Sequence, residues 1–170
     1  MVPDFQRLVD AEKSFANDPW WFFDSPNEDR YVLSVPLIID SVVEEGLFLE
    51  GNCMRDLPDQ QVTLVLNYNP SEGFNGPFSR LDWKPIGEHR NNGLVKGEYR
   101  FKPIVETHIH PFSDNFLLGL RRMWQENLPR AFPISESLPG FRDMLAYAGR
   151  VWNIREPQRI PVPEWSPRLT

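Results

Sequence analysis

Three strand-like runs, with no helix-length segment between them, constrain the fold of this chain more than any other feature. They are YVLSVPLIID, GLFLEGNC and QVTLVLNY, and they lie between Tyr31 and Tyr68. Together they are rich in Val, Ile, Leu and aromatic residues, and acidic or proline-containing turns separate them. Parallel strands need a long crossover connection, whereas antiparallel strands need only a short turn. The sequence therefore predicts an antiparallel sheet, in which Pro36 marks an edge strand or a bulge.

The segments around these runs complete the predicted fold. Apolar residues recur at helical spacing near the N-terminus, in residues 3–15, and again in residues 113–127 and 137–152. The run FSRLDW and residues 104–110 have the character of further strands. We therefore predict an α+β fold, with a mostly antiparallel sheet of five or six strands in residues 31–110. An N-terminal helix and two C-terminal helices pack on that sheet.

The length of 170 residues predicts a single domain. We divide it into a helix and an aromatic loop (1–30), the sheet (31–110), two helices (111–153) and a proline-rich tail (154–170). No secretory signal is visible, and no apolar run approaches the roughly 18 residues that span a membrane. The single cysteine, Cys53, cannot form an internal disulfide, so we expect a buried thiol and a cytoplasmic protein. Phosphate-binding glycine loops and CxxC pairs are absent, which argues against nucleotide-dependent phosphoryl transfer and finger-type zinc.

Charge is distributed unevenly along the chain. Residues 1–77 contain 14 acidic and 4 basic residues, whereas residues 78–170 contain 10 acidic and 14 basic residues. The first part thus carries −10 and the second +4, for a total of −6. Phosphates would be repelled by the acidic part. We expect that part to face solvent or a basic partner, and the basic part to be the one that meets phosphates.

All three histidines fall within residues 89–110, and two of them form the sequence HIH. Side chains alternate along a strand, so Glu106, His108 and His110 are predicted to share one face of the strand. In FSRLDW the same alternation places Arg80 and Asp82 together. An antiparallel return of the chain would bring His89 over the same face. The predicted cluster is Arg80, Asp82, His89, Glu106, His108 and His110.

Two kinds of chemistry need such a cluster, and the spacing leaves both open. In the first, a divalent metal such as zinc, iron or manganese is held by imidazoles and a carboxylate. Its ligands would be His89, Glu106, His108 and His110. In the second, imidazoles act as acid and base in metal-free RNA cleavage, while an arginine neutralises the phosphate. The residues would be Arg80, Asp82, His89, His108 and His110. A third reading is a non-catalytic interaction module that binds through the acidic part.

The run RLDWKPIGEHRNNG…ETHIHPF, within residues 79–115, resembles TumE-like toxins of bacterial toxin–antitoxin systems and related uncharacterised domains. In that pattern a strand with arginine and aspartate precedes a histidine loop and a closely spaced histidine pair. The resemblance implies a mixed antiparallel sheet with helices, a ribonuclease-type activity on RNA and an antitoxin-like protein partner. It assigns function to Arg80, Asp82, His89, His108 and His110.

Overall fold

The computed structural model describes residues 4–25, 28–73, 75–91, 95 and 97–166. Within them the chain forms an α+β fold, as predicted. The helices are α1 (Phe5–Asp10), α2 (Phe112–Phe116), α3 (Leu120–Gln125) and α4 (Phe141–Val151), followed by a 3-10 turn (Pro157–Arg159). The strands are β1 (Ser14–Phe15), β2 (Trp21–Ser25), β3 (Glu28–Ile39), β4 (Val42–Met54), β5 (Val62–Tyr68), β6 (Gly76–Trp83), β7 (His89–Arg90), β8 (Pro103–Ile104), β9 (His108–His110) and β10 (Phe132–Pro133).

Eight of these strands form one sheet in the order β1-β3-β4-β5-β6-β9-β10, and β2 pairs with β3 beside β1. Every strand pairing in it is antiparallel, which confirms the predicted sheet. Strands β1, β2 and β10 extend it beyond residues 31–110. The remaining two strands, β7 and β8, pair with each other in a separate small sheet.

The hairpin of β3 and β4 follows from its turn residues. Asp40 and Ser41 connect the strands with φ angles of 51° and 67°, the left-handed conformation that matches the twist of a two-residue hairpin. The pairing register shifts between Pro36 and Ile38. Proline has no N–H to donate to a ladder, so the predicted bulge at Pro36 is confirmed.

Alternation along β5 and β6 separates a core face from a polar face. Leu64 and Leu66 of β5, and Leu81 and Trp83 of β6, are fully buried. The core face packs against α4, whose Phe141 ring meets the Trp83 ring edge-on at 6.4 Å between centroids. The residues between these positions therefore point to the opposite face of the sheet.

Several predicted boundaries were wrong. The single helix predicted over residues 113–127 is two helices, because Gly119 adopts φ 83° between α2 and α3. The strand predicted over residues 104–110 spans only His108–His110 in the main sheet, since Pro103–Ile104 pairs with β7.

The N-terminal part also differs from its prediction. The first helix ends at Asp10, where the next residue turns to an extended conformation. The predicted aromatic loop contains β2, because Trp21, Phe22 and Phe23 pair with β3. Residues 92–93 form an Asn-Gly pair, which predicts a turn, and they lie outside the described residues.

In its described part, residues 154–166, the proline-rich tail forms one 3-10 turn at Pro157–Arg159 and otherwise runs without helix or strand beside β2 and β3. The Trp21 indole donates a hydrogen bond to the Pro161 carbonyl at 2.8 Å, and the Tyr31 hydroxyl donates to the Glu164 carbonyl at 3.0 Å. Trp165 packs edge-on against Phe141 and anchors the tail there. Among the described helices, none has both the length and the apolar character to cross a membrane.

A buried lysine joins the ends of two helices. Lys13 is 1% exposed, and its ammonium donates hydrogen bonds to the carbonyls of Val9, Ala11 and Trp152 at 2.7, 2.6 and 2.9 Å. These carbonyls lie at the C-terminal ends of α1 and α4, where helices leave acceptors unpaired. One cation thereby satisfies both helix ends.

Candidate functional site

Strands β6 and β9 bring the predicted residues together on the polar face of the sheet. Arg80 is paired with His110, and Asp82 with His108. Residues directly opposite each other in an antiparallel pair place their side chains on the same face, within contact distance. One cluster is therefore formed by four residues, which are Arg80, Asp82, His108 and His110.

Three ligand atoms converge in this cluster. The Oδ2 atom of Asp82 lies 3.2 Å from Nε2 of His108 and 3.2 Å from Nε2 of His110. All three atoms lie within 4.8 Å of one another. The side chains of His108 and His110 are 3% and 0% exposed, and that of Asp82 is 15% exposed. The cluster is thus closed off from bulk water on most sides.

Backbone carbonyls fix the tautomer of both imidazoles. His108 Nδ1 lies 2.7 Å from the Glu106 carbonyl oxygen, and His110 Nδ1 lies 2.6 Å from the Leu128 carbonyl oxygen. A carbonyl oxygen can only accept, so each Nδ1 carries the proton and donates it. In a neutral ring Nε2 then holds the lone pair. Both Nε2 atoms lie beside the carboxylate of Asp82.

Arg80 and Thr63 complete the contacts of Asp82. Arg80 Nε donates to Oδ2 at 2.8 Å, and Thr63 Oγ1 donates to Oδ1 at 2.8 Å. The second arm of the guanidinium, Nη2, lies 2.7 Å from His110 Nε2 and donates to its lone pair. The Nε2 atom of His108 is buried and makes no hydrogen bond. One imidazole nitrogen in the cluster is therefore unsatisfied.

The electrostatics of the cluster set the charge states of Asp82 and His110 near neutral pH. Burial alone would raise the pKa of the Asp82 carboxyl, but the positive charge of the adjacent Arg80 guanidinium holds that pKa well below its usual range. Burial lowers the pKa of His110 to about 4, although the Asp82 carboxylate opposes that shift. The carboxylate is consequently ionised and the His110 ring neutral.

His89 lies at the side of the cluster. Its ring centroid is 4.6 Å from that of His110 and 5.7 Å from that of His108. Its Nε2 atom lies 3.2 Å from Asn91 Oδ1, which also accepts from the Ala131 backbone N–H at 2.8 Å. Burial, followed by the charges of His108 and Arg80, lowers the pKa of His89. His89 therefore directs its Nε2 to Asn91.

Glu106 is not part of the cluster. Its carboxylate is exposed and accepts a hydrogen bond from the Val105 N–H at 3.1 Å, while its backbone carbonyl orients His108. The residue precedes β9 in a bend, so the alternation of a strand does not extend to it. In the described part of the chain, the metal-ligand group comprises Asp82, His108 and His110, without Glu106 or His89.

Two supporting residues were not identified from the sequence. Thr63 lies on the polar face of β5, but its contact with Asp82 depends on the register of β5 and β6. Asn91 is fully buried, and its amide also donates to the Ala131 carbonyl. No local sequence signal identifies either contact.

A scan against models of protein families, a search of curated proteins and a search of solved structures each found no match. The resemblance to TumE-like toxins stays a prediction that these comparisons do not test.

Proposed function

We propose that Asp82, His108 and His110 bind one divalent transition-metal ion, and that the protein acts through this ion. The observation that carries the proposal is the convergence of two imidazole Nε2 atoms on one carboxylate oxygen, at 3.2 Å each. Zinc, iron and manganese are the expected metals, because neutral imidazole and carboxylate are their usual protein ligands.

The ligand spacing is compatible with zinc. Bonds of about 2.0 Å to zinc in tetrahedral geometry separate neighbouring ligand atoms by about 3.3 Å. The two Nε2···Oδ2 separations of 3.2 Å are close to that value. Three protein ligands leave the fourth position for water or substrate, which is the arrangement of catalytic zinc sites.

The surroundings of the imidazoles support the same proposal. In metal sites a ligating histidine commonly donates its other N–H to a carbonyl or carboxylate, which fixes the ring. Both rings do so here, at 2.7 and 2.6 Å. A buried acceptor without a partner costs about 1–3 kcal/mol, and His108 Nε2 is in that position. A metal ion would remove this cost.

Metal analysis of the full chain tests the proposal. The protein, stripped with chelator and dialysed, is titrated with zinc against a chromophoric competitor, and bound metal is then counted by mass spectrometry. We expect one ion per chain, lost in His108→Ala and Asp82→Asn. His89→Gln and Glu106→Gln are matched controls that should keep the ion. Failure of the wild-type protein to bind zinc, iron or manganese would refute the proposal, and loss in the two controls would refute its ligand set.

A second candidate function is metal-free cleavage of RNA by a toxin-like protein that an antitoxin-like partner neutralises. The positions of Arg80 and His89 beside the imidazole pair favour it, because a guanidinium and a titratable ring suit a phosphodiester. Cleavage of RNA that persists with chelator and is lost in His89→Gln would support this candidate. A chain that neither binds metal nor cleaves RNA would instead support an interaction module.

A further inference from the structure

Arg80 donates a hydrogen bond to the lone pair of His110 that a metal ion would need. Arg80 Nη2 donates to His110 Nε2 at 2.7 Å, and the Nδ1 atom of that ring is already protonated against a carbonyl. A neutral imidazole has one lone pair, so His110 Nε2 can serve the guanidinium or a metal but not both. The carboxylate of Asp82 has several lone pairs and can keep its bond from Arg80 Nε while it binds a metal.

The released arm of Arg80 would stay beside the metal. Its Nε atom remains tied to Asp82 Oδ2 at 2.8 Å, so Nη2 can move only a short distance from His110. A divalent ion and a guanidinium at such proximity repel each other. An anion that binds the open position of the metal and accepts from Nη2 would remove this repulsion. Phosphoryl oxyanions suit both partners, because a guanidinium offers them paired donors.

Resting on the metal site proposed above, we infer that Arg80 acts as a placeholder cation that leaves His110 when the metal binds. The metal and the released guanidinium then form a joint site for a phosphoryl oxyanion. The Arg80 side chain is 17% exposed, so part of it faces solvent. Metal and phosphoryl binding should consequently be coupled, each strengthening the other by the same factor.

The first experiment measures zinc affinity without phosphate. Arg80→Met removes the competing donor and the positive charge, so it should bind zinc at least about tenfold more tightly than the wild-type protein. Arg80→Lys keeps the positive charge but lacks the planar pair of N–H donors. Its zinc affinity should therefore lie between those of Arg80→Met and the wild-type protein. Arg90→Met is the control, because Arg90 is exposed and pairs with Glu88 away from the cluster. Circular dichroism melting of each variant verifies that it is folded.

The second experiment repeats the zinc titration with inorganic phosphate and with a dinucleotide phosphodiester. In the wild-type protein, whichever of these two compounds binds the joint site should tighten zinc binding by about fivefold or more, a typical coupling between linked sites. The effect should vanish in Arg80→Met and persist in Arg90→Met. An effect of phosphate alone identifies a terminal phosphoryl group as the ligand, and an effect of the dinucleotide identifies a phosphodiester.

The outcomes separate this inference from the proposal on which it rests. Absence of zinc binding in both the wild-type protein and Arg80→Met refutes the metal site itself. Zinc binding that Arg80→Met weakens or leaves unchanged refutes the placeholder role. Zinc binding that neither phosphate nor the dinucleotide alters refutes the joint oxyanion site, even if Arg80 competes with the metal.

Discussion

Replacement of Lys13 by methionine is expected to destabilise the protein by about 3 kcal/mol at pH 7. Methionine has a similar length but no donor. The carbonyls of Val9, Ala11 and Trp152 would lose their hydrogen-bond partner in a place that is shielded from water. The two helix ends that share the ammonium would both be left with unpaired acceptors.

Two opposing contributions give this magnitude. A buried carbonyl without a donor costs about 2 kcal/mol, so three of them cost about 6 kcal/mol. The wild-type protein already bears the cost of burying an ammonium, which lowers the pKa of Lys13 from 10.5 to about 8. At about 1.4 kcal/mol for each pKa unit, that burial amounts to about 3 kcal/mol. The difference between the two contributions is the expected loss.

Urea unfolding, followed by tryptophan fluorescence and circular dichroism, measures this loss. The midpoint of thermal unfolding should fall by about 6–12 °C, as expected for a chain of this size. Lys102→Met is the control, because Lys102 is exposed. Should Lys13→Met unfold at the same urea concentration as the control, the three hydrogen bonds would contribute nothing and the reasoning would be wrong.

The same lysine predicts a dependence on pH. Its pKa is about 8 in the folded state and 10.5 when unfolded, so between these values the unfolded chain binds more protons. Stability must then rise with pH across this window. Relative to Lys13→Met, the wild-type protein should therefore gain stability from pH 8 to pH 10.5, and a difference that falls or stays constant would contradict the assignment.

Three further predictions concern other positions. Thr63→Val removes the hydrogen bond to Asp82 Oδ1 and should weaken zinc binding about tenfold, whereas unchanged affinity in the competitor titration would exclude such a role. Gly46→Ala should destabilise by about 2 kcal/mol, because φ is +79° and the new Cβ would lie 2.4 Å from a backbone nitrogen. Gly87→Ala, with open space around it, is its control in urea, and equal midpoints would contradict the strain. Burial raises the pKa of Cys53 to about 12, so an aromatic disulfide reagent at pH 8 should label it only on unfolding, and rapid labelling of the native protein would refute this.

Period-two alternation was sufficient to predict part of the site. It placed Arg80 and Asp82 on one face of their strand, and the same rule placed His108 and His110 together. Alternation is a local property of an extended chain, so it needs no knowledge of the neighbouring strands. The antiparallel class of the sheet was likewise local, because it followed from short connections.

The remainder of the site depends on contacts between distant segments. The pairing of β6 with β9 fixes which carboxylate meets the imidazoles, and no spacing in the sequence identifies that pairing. Glu106 was expected in the metal-ligand set because its strand was predicted to be longer, whereas a bend before β9 turns its carboxylate to solvent. The partners of Thr63 and Asn91 depend in the same way on tertiary packing.

Strand β9 is three residues long and pairs with β6 on one side and β10 on the other. The geometry of the cluster therefore depends on the exact register of these strands. His108 is opposite Asp82 on one side and Pro133 on the other, while Ile109 is opposite Leu81 and Phe132. A slip of one residue would turn both imidazoles towards the apolar core and expose the isoleucine in their place. Chains that differ by an inserted or deleted residue within these three positions should consequently lose the ligand geometry altogether, whereas length changes in the connecting loops leave the alignment of the strands intact.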